Sequence, residues 1–126
     1  LSSIIVYGEY IFNIDLEVPL SKEFVKSRVL NFVKSKEIII TKKNKKGKKV
    51  EVDIRPMIRN FDLVSLDDNR VTFVSTIATG SKANLNINIL IPQILDMLNL
   101  DMDPREVGVL RRDLYKVEDG QLVTPL

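Results

Sequence analysis

The chain has 126 residues, 44% hydrophobic and 29% charged, with a net charge of +2, the proportions of one ordinary folded domain rather than a disordered acidic chain or a fibre. It contains no cysteine and no histidine, which excludes disulfides, thiolate metal sites, iron–sulfur ligation within the chain and the commonest general base and metal ligand. Any catalysis would have to rest on Asp, Glu, Lys, Tyr or a hydroxyl. The longest apolar candidate, INILIPQILDML, is interrupted by Asn88, Pro92, Gln93 and Asp96 and falls short of the roughly 18 residues of a membrane span. The chain opens on Leu1 with no initiator Met and no secretory leader, so an excerpt of a longer protein is expected.

The first segment, SIIVYGEYIFNIDLEV, alternates with interruptions, Tyr10, Phe12, Ile14, Leu16 and Val18 falling in step. The pattern predicts one long or bulged strand with a break near Gly8, ended by Pro19. Ser21 is placed to cap a helix, with Leu20 and Val25 closing over its first turn. Val25, Val29, Phe32 and Val33 then form a stripe at helical spacing through Ser35.

KEIIIT and VEVDI flank a lysine-rich stretch as a hairpin, and Gly47 can supply the positive φ of its turn. Val50, Val52 and Ile54 are expected to face the core, which sends Glu51, Asp53 and Arg55 to the opposite face. Pro56 stops the ladder because it has no N–H to donate, and PMIRN reads as a turn or short helical segment. FDLVSL and RVTFVSTI form a second hairpin around Asp67–Asn69, with Val71, Phe73 and Ile77 on its buried face. ATGSKANLN is loop-like. Beyond it Leu90, Ile94, Leu95 and Leu98 predict a second helix with Pro92 in its first turn, although Leu85, Ile87 and Ile89 also alternate like a strand. Asp103 and Pro104 start a single helical turn, VGVLRRDLYKV is the last strand, and residues 121–126 read as a tail. The order strand, helix, hairpin, hairpin, helix, strand predicts a single α+β domain over residues 1–126. Its antiparallel sheet carries two helices packed on one face, joined by ferredoxin-like split βαβ connections.

Charge is concentrated in one place. Lys42, Lys43, Lys45, Lys46, Lys48 and Lys49 lie in a stretch of eight residues, so the rest of the chain carries a net −4. Such a tip can serve as a hand for a nucleic acid backbone or another polyanion. It can equally be a hairpin end kept soluble by lysine, since no aromatic is interleaved to stack bases. Asp53 and Arg55, expected on one strand face, form either a polar centre for an anionic ligand or a surface ion pair. Arg55 precedes a proline, which biases it toward extended backbone. On the last strand, alternation places Arg111 with Asp113 on one face and Arg112 with Leu114 on the other, one arginine in solvent and the other beside Asp53 and Arg55 if the strands are neighbours. The loop at Gly80, Ser81, Lys82 and Asn84 could present N–H groups to an anion, or simply connect two elements. No pair of carboxylates has a spacing that demands acid/base catalysis, no Ser, Lys or Tyr sits in a nucleophile motif, and no metal site or cofactor is expected.

Three segments, KKNKKGKKVEVDIRPMIRNFDL, ATGSKANLN and VLRRDLYK, resemble the C-terminal half of the bacterial radical-SAM-linked family, a domain of unknown function. The resemblance spans nearly the whole chain, and its most specific element is the lysine turn leading into Asp53, Ile54, Arg55 and Pro56. It implies a cytoplasmic accessory module, fused to or encoded beside radical S-adenosylmethionine proteins. The N-terminal half of that family, with its Ser-His-Leu-Asp and Asn-Pro-His-Pro motifs, is absent here, and no catalytic residue carries over.

The expected function is therefore a non-catalytic binding module, docking RNA or another polyanion through the lysines with Arg55, Arg111 and Arg112 nearby. The alternative is a protein-protein adaptor whose open sheet face or edge strand pairs with the missing half or with a radical-SAM protein. A third reading makes the chain half of an enzyme, with Asp53 and Arg55 completing a site begun by the absent histidines.

Overall fold

The sheet is built around a ten-residue strand, β1 (Val6–Asp15), in which Phe12 and Ile14 are fully buried. The computed structural model describes residues 6–124, and the part of the predicted first strand before Val6 lies outside the described residues. On one side β1 pairs with β5 (Arg70–Ala78), the return arm of a hairpin begun by β4 (Ile58–Leu66). On the other it pairs with β6 (Gly108–Glu118), which pairs in turn with the short β7 (Gln121–Val123). The order is β4-β5-β1-β6-β7, with every pairing antiparallel. β4 therefore runs parallel to β1 with β5 between them, and β5 parallel to β6 with β1 between them. The sheet is curled: Arg59 on β4 donates to the Gly120 carbonyl beyond β6 at 3.3 Å, although β5 and β1 lie between these strands.

Capping chemistry sets both helices. α1 (Lys22–Lys34) starts where Ser21 Oγ accepts the Phe24 N–H at 3.1 Å, as its sequence predicts. α2 (Ile87–Met97) starts where Asn86 Oδ1 accepts the Asn88 N–H at 2.8 Å. Pro92 is thus the sixth residue of α2, inside the helix rather than in its first turn. The carbonyl deprived of a donor belongs to exposed Asn88, where water can replace the missing N–H. Val25 of α1 and Leu90, Ile91, Ile94 and Leu95 of α2 share one core with Phe12, Ile14, Val71, Phe73 and Ile77 from the sheet. Phe61 sits between Phe32 and Phe73 with ring centroids 5.0 Å from each, tying β4 and β5 to α1. Each such fully buried Phe or Ile contributes about 1.5–3 kcal/mol, so this face holds the fold together.

Two expectations are corrected at the margins of the sheet. Residues 121–123, predicted as tail, form β7 against Lys116–Glu118. The turn between them places Asp119 at φ 50° and Gly120 at φ 78°, the left-handed pair that a two-residue hairpin requires. The expected break near Gly8 is instead a shift of register between Glu9 and Tyr10, and the extra residue, Arg112, lies in β6. No helix among the described residues is long and apolar enough to cross a membrane.

Candidate functional site: the lysine hairpin and its base

The first predicted hairpin forms, but outside the main sheet: β2 (Ile39–Lys43) and β3 (Lys49–Asp53) make a separate two-stranded sheet. Its base is apolar and anchored, with Ile40 8% and Ile54 1% exposed and Val52 packed against the same core. Its tip is entirely polar. Asn44 Oδ1 accepts the N–H groups of Lys46 and Lys48 at 2.9 and 3.0 Å, and Gly47 takes φ 79°, the positive value its position predicts. These bonds tie the backbone of the turn to the Asn44 side chain and leave the lysine side chains out. All six lysines are exposed, and none takes part in an ion pair among the described residues. Lys43 and Lys49 stand directly opposite one another across the two strands, an arrangement of like charges that destabilises a hairpin.

Asp53 and Arg55 are drawn together at the foot of this hairpin for a different task. Asp53 Oδ1 accepts the Ile38 N–H at 2.8 Å and the Arg55 N–H at 3.0 Å, closing the hairpin and turning the chain sharply. Ile54 takes φ −89° and ψ −8°, and Arg55 to Met57 make one 3₁₀ turn. The extended Arg55 favoured by its proline neighbour, and its place on the Asp53 strand face, are corrected by this turn: a backbone bond to the carboxylate outweighs the local preference. The Arg55 guanidinium then donates to three main-chain carbonyls, Ser35 at 3.1 Å, Ile58 at 2.8 Å and Val33 at 2.9 Å. Two of these acceptors cluster at the C-terminal end of α1, where a cation is favoured. Arg55 is thus a clamp joining α1, the hairpin and β4, and its donors point inward.

The arginines of β6 are elsewhere. The extra residue at Arg112 reverses the alternation beyond it: Arg111 lies opposite Tyr10, Asp113 opposite Glu9 and Leu114 opposite Gly8. Arg111 therefore shares a face with Leu114, while Asp113 takes the other face, which corrects the predicted grouping. Arg112 Nε meets Glu9 Oε1 at 2.7 Å, an ion pair that raises its own pKa, first through the hydrogen bond and then through the carboxylate charge. Desolvation first, and the Glu9 and Asp113 carboxylates next, push the Tyr115 phenol above its ordinary value. Because β6 and β3 belong to different sheets, neither arginine shares a strand pairing with the Asp53 segment. In the loop before α2, the Gly80 N–H is taken by the Ala83 carbonyl at 3.0 Å and Thr79 bridges to Asn84, so the loop is tied to itself.

A family described as "Uncharacterized protein conserved in bacteria (DUF2344)" matches residues 1–87, well over half of the chain. The chain belongs to that family. Comparison with curated proteins and with solved structures gives no match. The DUF2344 match takes in β1, α1, the lysine hairpin, Asp53 and Arg55, and ends at the start of α2. Arg111 and Arg112 lie beyond it.

One concavity has no counterpart among the candidate site residues read from sequence. Asp15, Glu17, Asp101 and Glu106 ring a groove at the opposite end of α1 from the Arg55 clamp. Its only trace in the sequence is the net −4 left when the six lysines are set aside.

Proposed function

We propose that this DUF2344 chain is a non-catalytic binding module that docks RNA or another extended polyanion through the tip of its β2–β3 hairpin. The observation that carries the reading is the pair Lys43 and Lys49, opposed in register with four more exposed lysines around them and, among the described residues, no carboxylate paired to any. Solubility alone needs charge, but not like charges set face to face at a cost in stability. Asp53 and Arg55 serve by holding the base, so that the lysines are presented on a fixed arm. The contact is electrostatic and blind to sequence, since no aromatic lies between the lysines to stack a base.

Following the resemblance, we read the module as a cytoplasmic accessory to radical-SAM proteins, and its strand order as the split βαβ arrangement of ferredoxin-like domains. The test is RNA binding by the chain with Lys45, Lys46, Lys48 and Lys49 changed to Gln, measured at two salt concentrations. Affinity and salt dependence both fall if the reading holds; unchanged binding, or a flat salt response in the unaltered chain, overturns it.

A second reading, the adaptor, is favoured by β6. Residues 108–113 are all exposed, Leu110 to 60%, and β7 covers the outer edge of β6 only from Lys116 onward. An edge of this kind can accept a partner's strand. Loss of a radical-SAM partner on Leu110→Asp, with RNA binding intact, would select this reading.

A further inference from the structure

We propose that the groove at the start of α1 is a second binding site, which takes a peptide segment of a partner protein in which lysine or arginine flanks a large apolar side chain. The groove has a volume of about 370 Å³ and forms where β1 runs into α1 and where α2 runs toward β6. That size suits a side chain or two rather than a whole domain surface. Its floor is apolar, made by Leu16, Leu20, Leu100 and Met102, and Val18 stands on its wall with 72% of its surface exposed. A valine so exposed beside other apolar groups extends an open apolar patch that a partner's side chain can cover.

The rim supplies the sign of the partner. Asp15, Glu17, Asp101 and Glu106 line the groove, and among the described residues no basic side chain does. Arg70 engages Asp15 at 2.9 Å, and Arg105, next to Glu106, is held by Asp103 at 2.8 Å. Glu17, Asp101 and Glu106 take part in no ion pair among the described residues. These carboxylates do not converge on a point, for no group of acidic residues among those described could hold a metal ion. Charge spread round an apolar floor matches a ligand built the same way, with cationic ends and an apolar middle. Lysine and arginine fit doubly, because their aliphatic stems cover apolar surface while their heads reach the rim.

The chain's own hairpin does not have this chemistry. From Thr41 to Lys49 it offers lysines but no apolar side chain to fill the floor, so the occupant is a segment of another protein.

The test is selection of random displayed peptides on the immobilised chain, followed by binding measurements with the synthetic peptide that wins. The expected winners place Lys or Arg beside Leu, Ile, Met or Phe. Their affinity should fall about tenfold in Glu17→Gln/Asp101→Asn/Glu106→Gln, as the loss of three rim contacts implies. It should fall again with Val18→Ser, and stay unchanged when the hairpin lysines are replaced by Gln. The altered groove positions, Glu17, Val18, Asp101 and Glu106, are all exposed, so circular dichroism should report an unchanged fold. Enrichment of acidic or uncharged sequences, or a winner indifferent to the triple substitution, overturns the proposal. So does salt-sensitive self-association abolished equally by the groove and hairpin substitutions, which would make a second copy the occupant.

Discussion

The lysine hairpin and the acidic groove carry opposite charge, and they are built on opposite plans. The hairpin is convex: its tip has no apolar side chain, its turn is closed by Asn44, and its base is fixed by Asp53 and Arg55. The groove is concave, with carboxylates set above Leu16, Leu20 and Met102. The base of one and the wall of the other sit at the two ends of α1, thirteen residues or about 20 Å apart. The contrast teaches how each selects a partner. A bare charged tip tolerates any anion of sufficient length, whereas charge above an apolar floor demands shape as well.

The largest expected difference between the two sites is in their response to salt. Six lysines on a single-stranded RNA predict a slope of log affinity against log salt near −4, so that raising salt from about 50 to about 200 mM weakens binding by about 10²- to 10³-fold. A peptide in the groove should lose less than about tenfold over the same range, because burial of its apolar side chain is insensitive to screening. Titrations by fluorescence anisotropy at the two salt levels measure both, and equal slopes would erase the distinction.

Next in size is Arg55→Met, which strips the donors from the carbonyls of Val33, Ser35 and Ile58. We expect a loss of about 3 kcal/mol in urea denaturation, with weakened RNA binding and an unaltered groove. Lys43→Glu sharpens the comparison from the other side. It replaces the repulsion across from Lys49 by an attraction and should stabilise the chain by up to about 0.5 kcal/mol while lowering RNA affinity. A gain in stability without that loss would return the lysines to a purely solubilising role.

The smallest effect concerns the groove rim and acid. The Asp103 carboxyl is held below its ordinary value, first by the side-chain hydrogen bond from Arg105 and then by the Arg105 backbone N–H. A carboxyl lowered by folding adds stability above its unfolded value and loses it as pH falls through the lowered folded value. The urea midpoint of the unaltered chain should therefore fall more on acidification than that of Asp103→Asn. The same substitution releases Arg105 beside Glu106 and should weaken a basic peptide about twofold.

What could be read from sequence follows the range of the interactions involved. The turns at Gly47 and Asp67, and the caps at Ser21 and Asp103, form from residues a few positions apart, and each stands where its local chemistry puts it. Val25, Val71, Phe73 and Ile77 are buried to the last percent because periodicity alone assigns their faces. Arg55 stands out in the sequence beside Asp53 and Pro56, but its direction depends on carbonyls twenty and twenty-two positions away. The extra residue at Arg112 exists only in relation to β1, about a hundred positions earlier in the chain. The groove joins Asp15 to Glu106 in the same long-range way, and no window of sequence contains both sides of it.

That extra residue has a consequence for how the molecule behaves in a crowd. A straight β6 would lay Val109 and Leu110 along an open margin, inviting copies to stack into an endless ribbon. The extra residue at Arg112, with Arg111 before it and Asp113 after it, interrupts the regular ladder and puts charge beside that margin, so that a strand joining it has to match the bulge rather than any flat edge.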